Sequence, residues 1–271
     1  MILLLACAVP TPLEGALEVL TYNVHGLPPE ITGDDTGARL EAIGPMLADY
    51  DLVGVQEDFD AERHELLAAA SGQPVVAWFG ALLEPERFYG SGLAVLTGLP
   101  ASQIYAEHFT ACNGTVDGAS DCLASKGFQV VRLSLAHGVE LDVYNTHLEA
   151  GSGEDDNAAR QAHVDQLVAS LNGRSEGRAV VFTGDTNLHL SDPVDAPLLD
   201  QLRDDAGLID ACESVGCDEP DRIDRIFVRS GSDLALEVVD WAVDERFVDA
   251  EGLPLSDHDA IRATLRWERT R

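Results

Sequence analysis

Short apolar runs that stop abruptly at polar residues recur along this chain, and they predict a fold rich in buried strands. The clearest is Ala179-Val180-Val181-Phe182-Thr183, which ends at Gly184-Asp185-Thr186-Asn187. A run this short, bounded by glycine, reads as a strand that delivers a carboxylate and a carboxamide at its end. Taken singly, such a sequence is more often an Asx turn than an active site, because both side chains satisfy turn backbone locally. Its weight comes from repetition at other strand ends.

Residues 17–23 predict a strand that closes at Gly26-Leu27-Pro28-Pro29, leaving Asn23 and His25 at its end. Residues 38–50 carry a helical stripe of Leu40, Ile43, Met46 and Leu47, with a kink expected at Gly44-Pro45. Residues 52–56 form a second buried run, and Glu57 is the next residue. A helix over 61–70 and strands over 75–79, 90–97 and 103–109 follow. Residues 127–135 and 140–145 read as a hairpin about His137-Gly138 whose second strand leads into Asn145-Thr146-His147. The strongest helical pattern is 157–171, with Val164, Leu167, Val168 and Leu171 on one face and Asp155 or Asp156 as its cap. A helical stretch at 198–206 precedes strands over 223–228, 234–241 and 260–267. Two of these strands reverse the order, for Asp224 and Ser256-Asp257-His258-Asp259 stand at strand beginnings.

Strands with polar residues last and strands with polar residues first meet at one edge if they run antiparallel. Asn23, Glu57, His147, Asp185 and Asn187 are therefore expected to share a rim with Asp224, Asp257 and His258. Many strands with interspersed helices predict an α/β fold, a four-layered α-β-β-α sandwich of two mainly antiparallel sheets. No internal repeat or low-complexity segment breaks the chain, so residues 16–271 are expected to form one catalytic domain.

Charge narrows the partners. Against 17 Lys and Arg stand 48 Asp and Glu, a formal net charge of -31, and Lys126 is the only lysine. Long-range capture of nucleic acid is disfavoured by this balance, although a local cationic site of arginine and metal is not. Lys126 itself reads equally as a surface turn residue or a substrate contact. No apolar run reaches the roughly 20 residues that span a bilayer.

Met1-Ile2-Leu3-Leu4-Leu5-Ala6-Cys7 is similar to the end of a bacterial lipoprotein signal, although it lacks a basic region and a longer apolar stretch. On this reading Cys7 is lipidated, residues 8–15 are a short tether, and the protein is exported to the cell envelope or beyond. The other four cysteines support export. Of their three pairings, Cys112 with Cys122 and Cys212 with Cys217 are the economical choice in an oxidising compartment.

The rim residues define a chemistry by type. Carboxylates and carboxamides without a thiolate favour Mg²⁺, Mn²⁺ or Ca²⁺, and two histidines add acid-base groups. A phosphate ester needs its oxygens neutralised, a water aligned opposite the leaving group, and that water relieved of a proton. This set can supply all three.

Tyr22-Asn23-Val24-His25-Gly26, Gln56-Glu57, Gly92-Leu93-Ala94-Val95-Leu96, Thr146-His147-Leu148, Gly184-Asp185-x-Asn187, Asp224-Arg225-Ile226 and Ser256-Asp257-His258 occur in this order. The series resembles the endonuclease/exonuclease/phosphatase superfamily over nearly the whole chain, and that superfamily has the four-layered sandwich. The resemblance implies Glu57 as principal metal ligand, with Asn23 and Asp257 completing the metal surroundings. It implies His258 as the general base and Asp224 as its orienting carboxylate. Asp185 and Asn187 are similar to the pair that positions water or phosphate, and His147 to the histidine that contacts the phosphate and protonates the leaving oxygen. His25 receives no role.

In detail the motifs look more like bacterial sphingomyelinases and related phospholipid phosphodiesterases than deoxyribonucleases. Gly90-Ser91 stands where pancreatic-type deoxyribonucleases have a glutamate that pairs with the histidine matching His147. Residues 240–256 are charged and lack the aromatic membrane-inserting hairpin of haemolytic sphingomyelinases. The expected substrate is a phospholipid head group or a small organic phosphodiester, turned over by a monomer. A secreted metal-dependent endonuclease is the alternative, with a phosphomonoesterase behind it.

Overall fold

The computed structural model describes residues 13–80, 87–114 and 121–270. Its strands, in chain order, are β1 (Glu14–Asn23), β2 (Leu52–Gln56), β3 (Val75–Trp78), β4 (Ala94–Thr97), β5 (Ala101–His108) and β6 (Gly127–Ala136). They continue with β7 (Val139–His147), β8 (Val180–Asp185), β9 (Ile209–Asp210), β10 (Asp224–Arg229), β11 (Leu234–Val243) and β12 (Ile261–Arg269). The helices are α1 (Pro29–Thr32), α2 (Thr36–Leu47), α3 (Ala61–Ser71), α4 (Glu154–Gly173), α5 (Ala196–Ala206) and α6 (Ala211–Val215).

The strands build two six-stranded sheets, ordered β11-β12-β1-β2-β4-β3 and β5-β6-β7-β8-β10-β9. One parallel pair lies inside each sheet, β1 with β2 and β7 with β8, and the other pairings are antiparallel. Between the sheets lies an aliphatic layer that includes Val19, Leu52, Val95, Val131, Val143, Val181, Ile226 and Leu265. Outside the first sheet, Leu40, Ile43 and Leu47 of α2 and Leu67 of α3 pack on Leu20, Tyr22, Val53 and Val55. Outside the second, Val164, Leu167 and Leu171 of α4 and Leu198, Leu199 and Leu202 of α5 pack on Val130, Tyr144, Val180 and Phe182. The expected four-layered α/β sandwich is the observed one. The inner strands β2, β4 and β8 read as nearly continuous apolar sequence because both of their faces are covered.

Register delivers the rim. The parallel pairs align Asn23 with Gln56 and His147 with Asp185, and the antiparallel β8–β10 pair sets Asp185 opposite Asp224. Polar-last and polar-first strand ends therefore meet as the pattern predicted. At the other end of the sandwich, β1 begins at Glu14, paired with Glu268. Glu14 and Gly15, expected to close a tether, are thus the first residues of a sheet. Cys7 and its expected lipidation lie outside the described residues.

Beneath the rim a polar bolt joins the sheets. Gln56 Nε2 donates to Asn145 Oδ1 at 2.7 Å, and Asn145 Nδ2 donates to the carbonyls of Val55 and Ala94 at 2.9 and 3.0 Å. Gly54 leaves room for it, since a Cβ there would stand 2.0 Å from Thr183 Oγ1 and 2.9 Å from Asn145 Oδ1. Gly54→Ala is expected to destabilise the fold by about 1–3 kcal/mol through this overpacking, read as a lower urea midpoint.

Some local expectations change. Neither Asp155 nor Asp156 caps α4; Gly153 occupies the cap, and Asp156, inside the first turn, accepts from the Gly153 N–H at 2.9 Å. A carboxylate three residues into a helix can reach back in this way. Pro45 lies inside α2, which ends at Leu47 rather than Tyr50. The second strand of the hairpin ends at Asn145-Thr146-His147 as expected, and β8 pairs with it to that point. The short elements α1, β9 and α6 carry too few residues for a periodic signal. Both local cysteine pairs, Cys112–Cys122 and Cys212–Cys217, are disulfide-bonded.

Candidate active site

Three non-glycine residues among those described have positive φ: His25 at 49°, Glu57 at 61° and Asn187 at 48°. They follow the ends of β1, β2 and β8. A left-handed residue costs about 1–2 kcal/mol, and such strain gathers at functional sites because surrounding contacts must hold it. Asn187 shows how the local and functional readings coexist, for its N–H donates to Asp185 Oδ1 at 3.0 Å in an Asx turn on the rim.

Asn23 is the hub. Its Nδ2 donates to Glu57 Oε1 and to Asp185 Oδ2, each at 3.0 Å, and lies 3.4 Å from His258 Nε2. Its Oδ1 accepts from the His25 N–H at 3.0 Å. In this arrangement Asn23 ties the carboxylates together as a donor. His258 Nδ1 lies 2.8 Å from Asp224 Oδ2, while its Nε2 faces Asp185 Oδ2 at 3.8 Å. Ser256 Oγ fastens the loop by donating to the Asn23 carbonyl at 2.7 Å and accepting from the His258 N–H at 3.2 Å. His147 Nε2 stands 3.4 Å from the same Asp185 oxygen. Asn187 Nδ2 turns to the Leu148 carbonyl at 3.2 Å. Asp257 stands apart and exposed, linked through His25, whose Nδ1 lies 3.1 Å from Asp257 Oδ1 and 3.8 Å from Glu57 Oε2.

Burial sets the electrostatics. It pushes the Glu57 carboxyl up, partly offset by the Asn23 hydrogen bond and the Lys126 charge. Asp224 is likewise raised by burial and by neighbouring Asp185, against the pull of His258. Burial works against a charged His258, yet the hydrogen bond and charge of Asp224, with Asp185 and Asp257, outweigh it and hold the imidazole above its ordinary value. His147 goes the other way, for burial and then the Lys126 charge keep it well below that value and hence neutral.

The donor set fits a divalent cation. Ligand atoms of Asp185, Asp224 and His258 lie within 4.8 Å of one another, and Glu57 Oε2 and Asp224 Oδ1 are buried without a hydrogen-bond partner. Buried carboxylate oxygens left unpaired are costly unless a cation meets them.

A cavity of about 470 Å³ opens over this centre. Its lining combines Glu57, Asp121, Lys126, His147, Asp185, Asn187 and His258 with Leu27, Ile31, Phe59, Tyr89, Leu123, Ala124 and Ala150. Sequence reading missed the apolar wall, whose residues are scattered over several segments without a shared motif. It left Lys126 undecided, and the structure buries it: Nζ pairs with Asp121 Oδ1 at 2.8 Å, donates to the Leu148 carbonyl at 2.8 Å and lies 3.3 Å from His147 Nε2. That this is the sole lysine of the chain was the available signal. The missing glutamate also has a counterpart, since His147 Nδ1 has no partner and Ser91 Oγ donates to the Phe79 carbonyl instead.

Comparisons with known proteins agree with this fold. Sphingomyelinases of Mycobacterium tuberculosis and Mycobacterium bovis are each 30% identical over 266 residues, which cover 91% of this chain and 52% of the relative. The chain thus spans about half the length of the curated relatives it matches. Among solved structures, sphingomyelinase C from Streptomyces griseocarneus superposes with a TM-score of 0.70 at 19% identity, covering 92% of this chain and 99% of that one. A mutant beta toxin from Staphylococcus aureus with bound magnesium ions gives 0.69 at 17% identity, over 92% and 99%. TDP2 from C. elegans gives 0.67 at 20% identity, over 92% and 75%. The model of the Endonuclease/Exonuclease/phosphatase family matches residues 20–258, from the first strand to the histidine of the rim, and the chain belongs to that family.

Proposed function

We propose that this chain is a divalent-metal-dependent phosphodiesterase acting on phospholipid head groups or other small organic phosphodiesters, in the manner of a sphingomyelinase. The observation that carries this reading is the mixed lining of the cavity, where a carboxylate–histidine centre shares the space with an apolar wall that includes Leu27, Ile31, Phe59, Leu123 and Ala124. Such a wall suits an ester whose alcohol is apolar, whereas a polynucleotide offers charge that a chain of net charge -31 repels.

In this mechanism His258 takes the proton of the attacking water through Nε2, while Asp224 on Nδ1 fixes the ring and stabilises its charged form. Glu57 and Asp185 would hold the cation, with Asp257 reaching the site through His25, and Asn23 keeps the Glu57 and Asp185 carboxylates in register. When bound, a divalent cation such as Mg²⁺ neutralises phosphate oxygens and favours an in-line displacement. His147 is neutral, so its part is a hydrogen bond to a phosphate oxygen rather than delivery of a proton, with Lys126 supplying positive charge beside it. Asn187 keeps Asp185 aimed at the water. The two disulfides fit an exported protein, and Cys7 remains the proposed point of attachment to an envelope.

The test is to give the purified chain sphingomyelin vesicles, a soluble aryl phosphodiester, an aryl phosphomonoester and plasmid DNA, each with Mg²⁺ or EDTA. Metal-dependent release of choline phosphate is expected. DNA nicking without lipid turnover would replace this reading with a nuclease, and turnover of the monoester alone would replace it with a phosphatase.

A further inference from the structure

Asp58 directly follows Glu57 and is 1% exposed, yet no step of the proposed reaction uses it. Its neighbours grip it from several sides. Its N–H donates to the Gly92 carbonyl at 2.9 Å, its carbonyl accepts from Trp78 Nε1 at 2.9 Å, and its Oδ2 lies 2.5 Å from His64 Nδ1. His64 in turn lies flat on Trp78, with ring centroids 4.5 Å apart and planes 8° from parallel. The circuit closes on itself: one indole holds the Asp58 carbonyl and stacks the imidazole that holds its carboxylate. Through it α3 and β3 are fastened to the residue after Glu57.

Glu57 needs such fastening. Its φ of 61° is unfavourable for a side chain of this kind and persists only where the surroundings over-determine it. From the opposite side Gly26 presses on the same peptide, for a Cβ there would stand 2.2 Å from the Glu57 carbonyl oxygen. Packing alone does not account for the circuit, since a buried carboxylate and imidazole cost more to desolvate than apolar side chains filling the same space.

We propose that Asp58, His64 and Trp78 form a positioning unit that holds Glu57 in its left-handed conformation and so aims its carboxylate at the divalent-cation site. The unit acts through Glu57 and rests on the reading of that residue as a metal ligand. Residues that orient a ligand from behind typically change metal affinity 10- to 100-fold when removed.

The experiment is calorimetric titration of Mg²⁺ into the full chain and its Glu57→Gln, His64→Ala, His64→Asn and Trp78→Phe variants, with the thermal midpoint of each. His64→Ala is expected to weaken Mg²⁺ binding about 10-fold or more. His64→Asn, which restores a donor to Asp58 Oδ2, is expected to recover much of that loss. Trp78→Phe keeps a ring under the imidazole, removes the N–H to the Asp58 carbonyl, and is expected to weaken binding by a smaller factor. Wild-type Mg²⁺ affinity in His64→Ala and Trp78→Phe, with only their midpoints lowered, would reduce the unit to a structural one and overturn the proposal. Unchanged affinity in Glu57→Gln would overturn the metal-ligand reading as well, which separates the two failures. Should His64→Ala not fold, the Trp78→Phe and His64→Asn affinities decide.

Discussion

His258→Ala is expected to lower phosphodiester turnover by about 10²- to 10⁴-fold, the usual contribution of a positioned general base. The ring has a buried carboxylate behind it, 2.8 Å from Nδ1, and lines the cavity. Its removal deprives the attacking water of a proton acceptor while leaving the cation site otherwise intact. Asp224→Asn retains the imidazole but not the charge that orients and stabilises it, so its turnover should fall by a smaller factor. The circular dichroism of His258→Ala should match wild type, because the side chain lies outside the three apolar cores. Initial rates on a soluble aryl phosphodiester at saturating Mg²⁺ supply the check. Retention of a tenth of the rate by His258→Ala would remove it from the role of base.

Metal removal is expected to have an effect as large. EDTA should abolish turnover and Mg²⁺ restore it, whereas Glu57→Gln should need far higher Mg²⁺ for partial recovery. The affinity should also depend on pH, with a sign set by His258. Asp224 and Asp185 hold its imidazole above the ordinary value, so the metal-free site keeps that proton through neutral pH. A divalent cation beside it disfavours the charged ring, so binding releases protons. Apparent Mg²⁺ affinity should therefore rise with pH above neutrality and level off once His258 is neutral in the metal-free site. Buffers of different ionisation enthalpy would reveal the protons released, and an affinity that falls as pH rises would contradict the assigned charge state.

Much of the rim could be read from strand ends alone. Asp185, Asp224 and His147 come together because an apolar run fixes both the length of a strand and the residue at which it stops, and because β8 pairs with β7 and β10 at those residues. What sequence could not convey was direction within the rim. Asn23 sits where a metal ligand was expected, yet its amide donates to two carboxylates, and Asp257 faces His25 and solvent. Side-chain aim depends on turn geometry such as the positive φ at Glu57 and Asn187, which residue type alone does not announce. The apolar wall was illegible for a related reason, because Leu27, Phe59, Tyr89 and Leu123 meet only through tertiary contact. Helix ends failed locally, as at Asp156, where one carboxylate can cap from outside a helix or bond back from within it.

The course of β1 decides which way a tethered copy would look. The strand climbs from Glu14 at one end of the sandwich to Asn23 at the rim, a rise of about 30 Å at the usual spacing per residue. Any attachment made upstream of Glu14 would hold the protein by its base, with the cavity pointing outward. The sheet that buries β1 fixes its direction within the molecule, so the start of the strand and the rim stay at opposite ends.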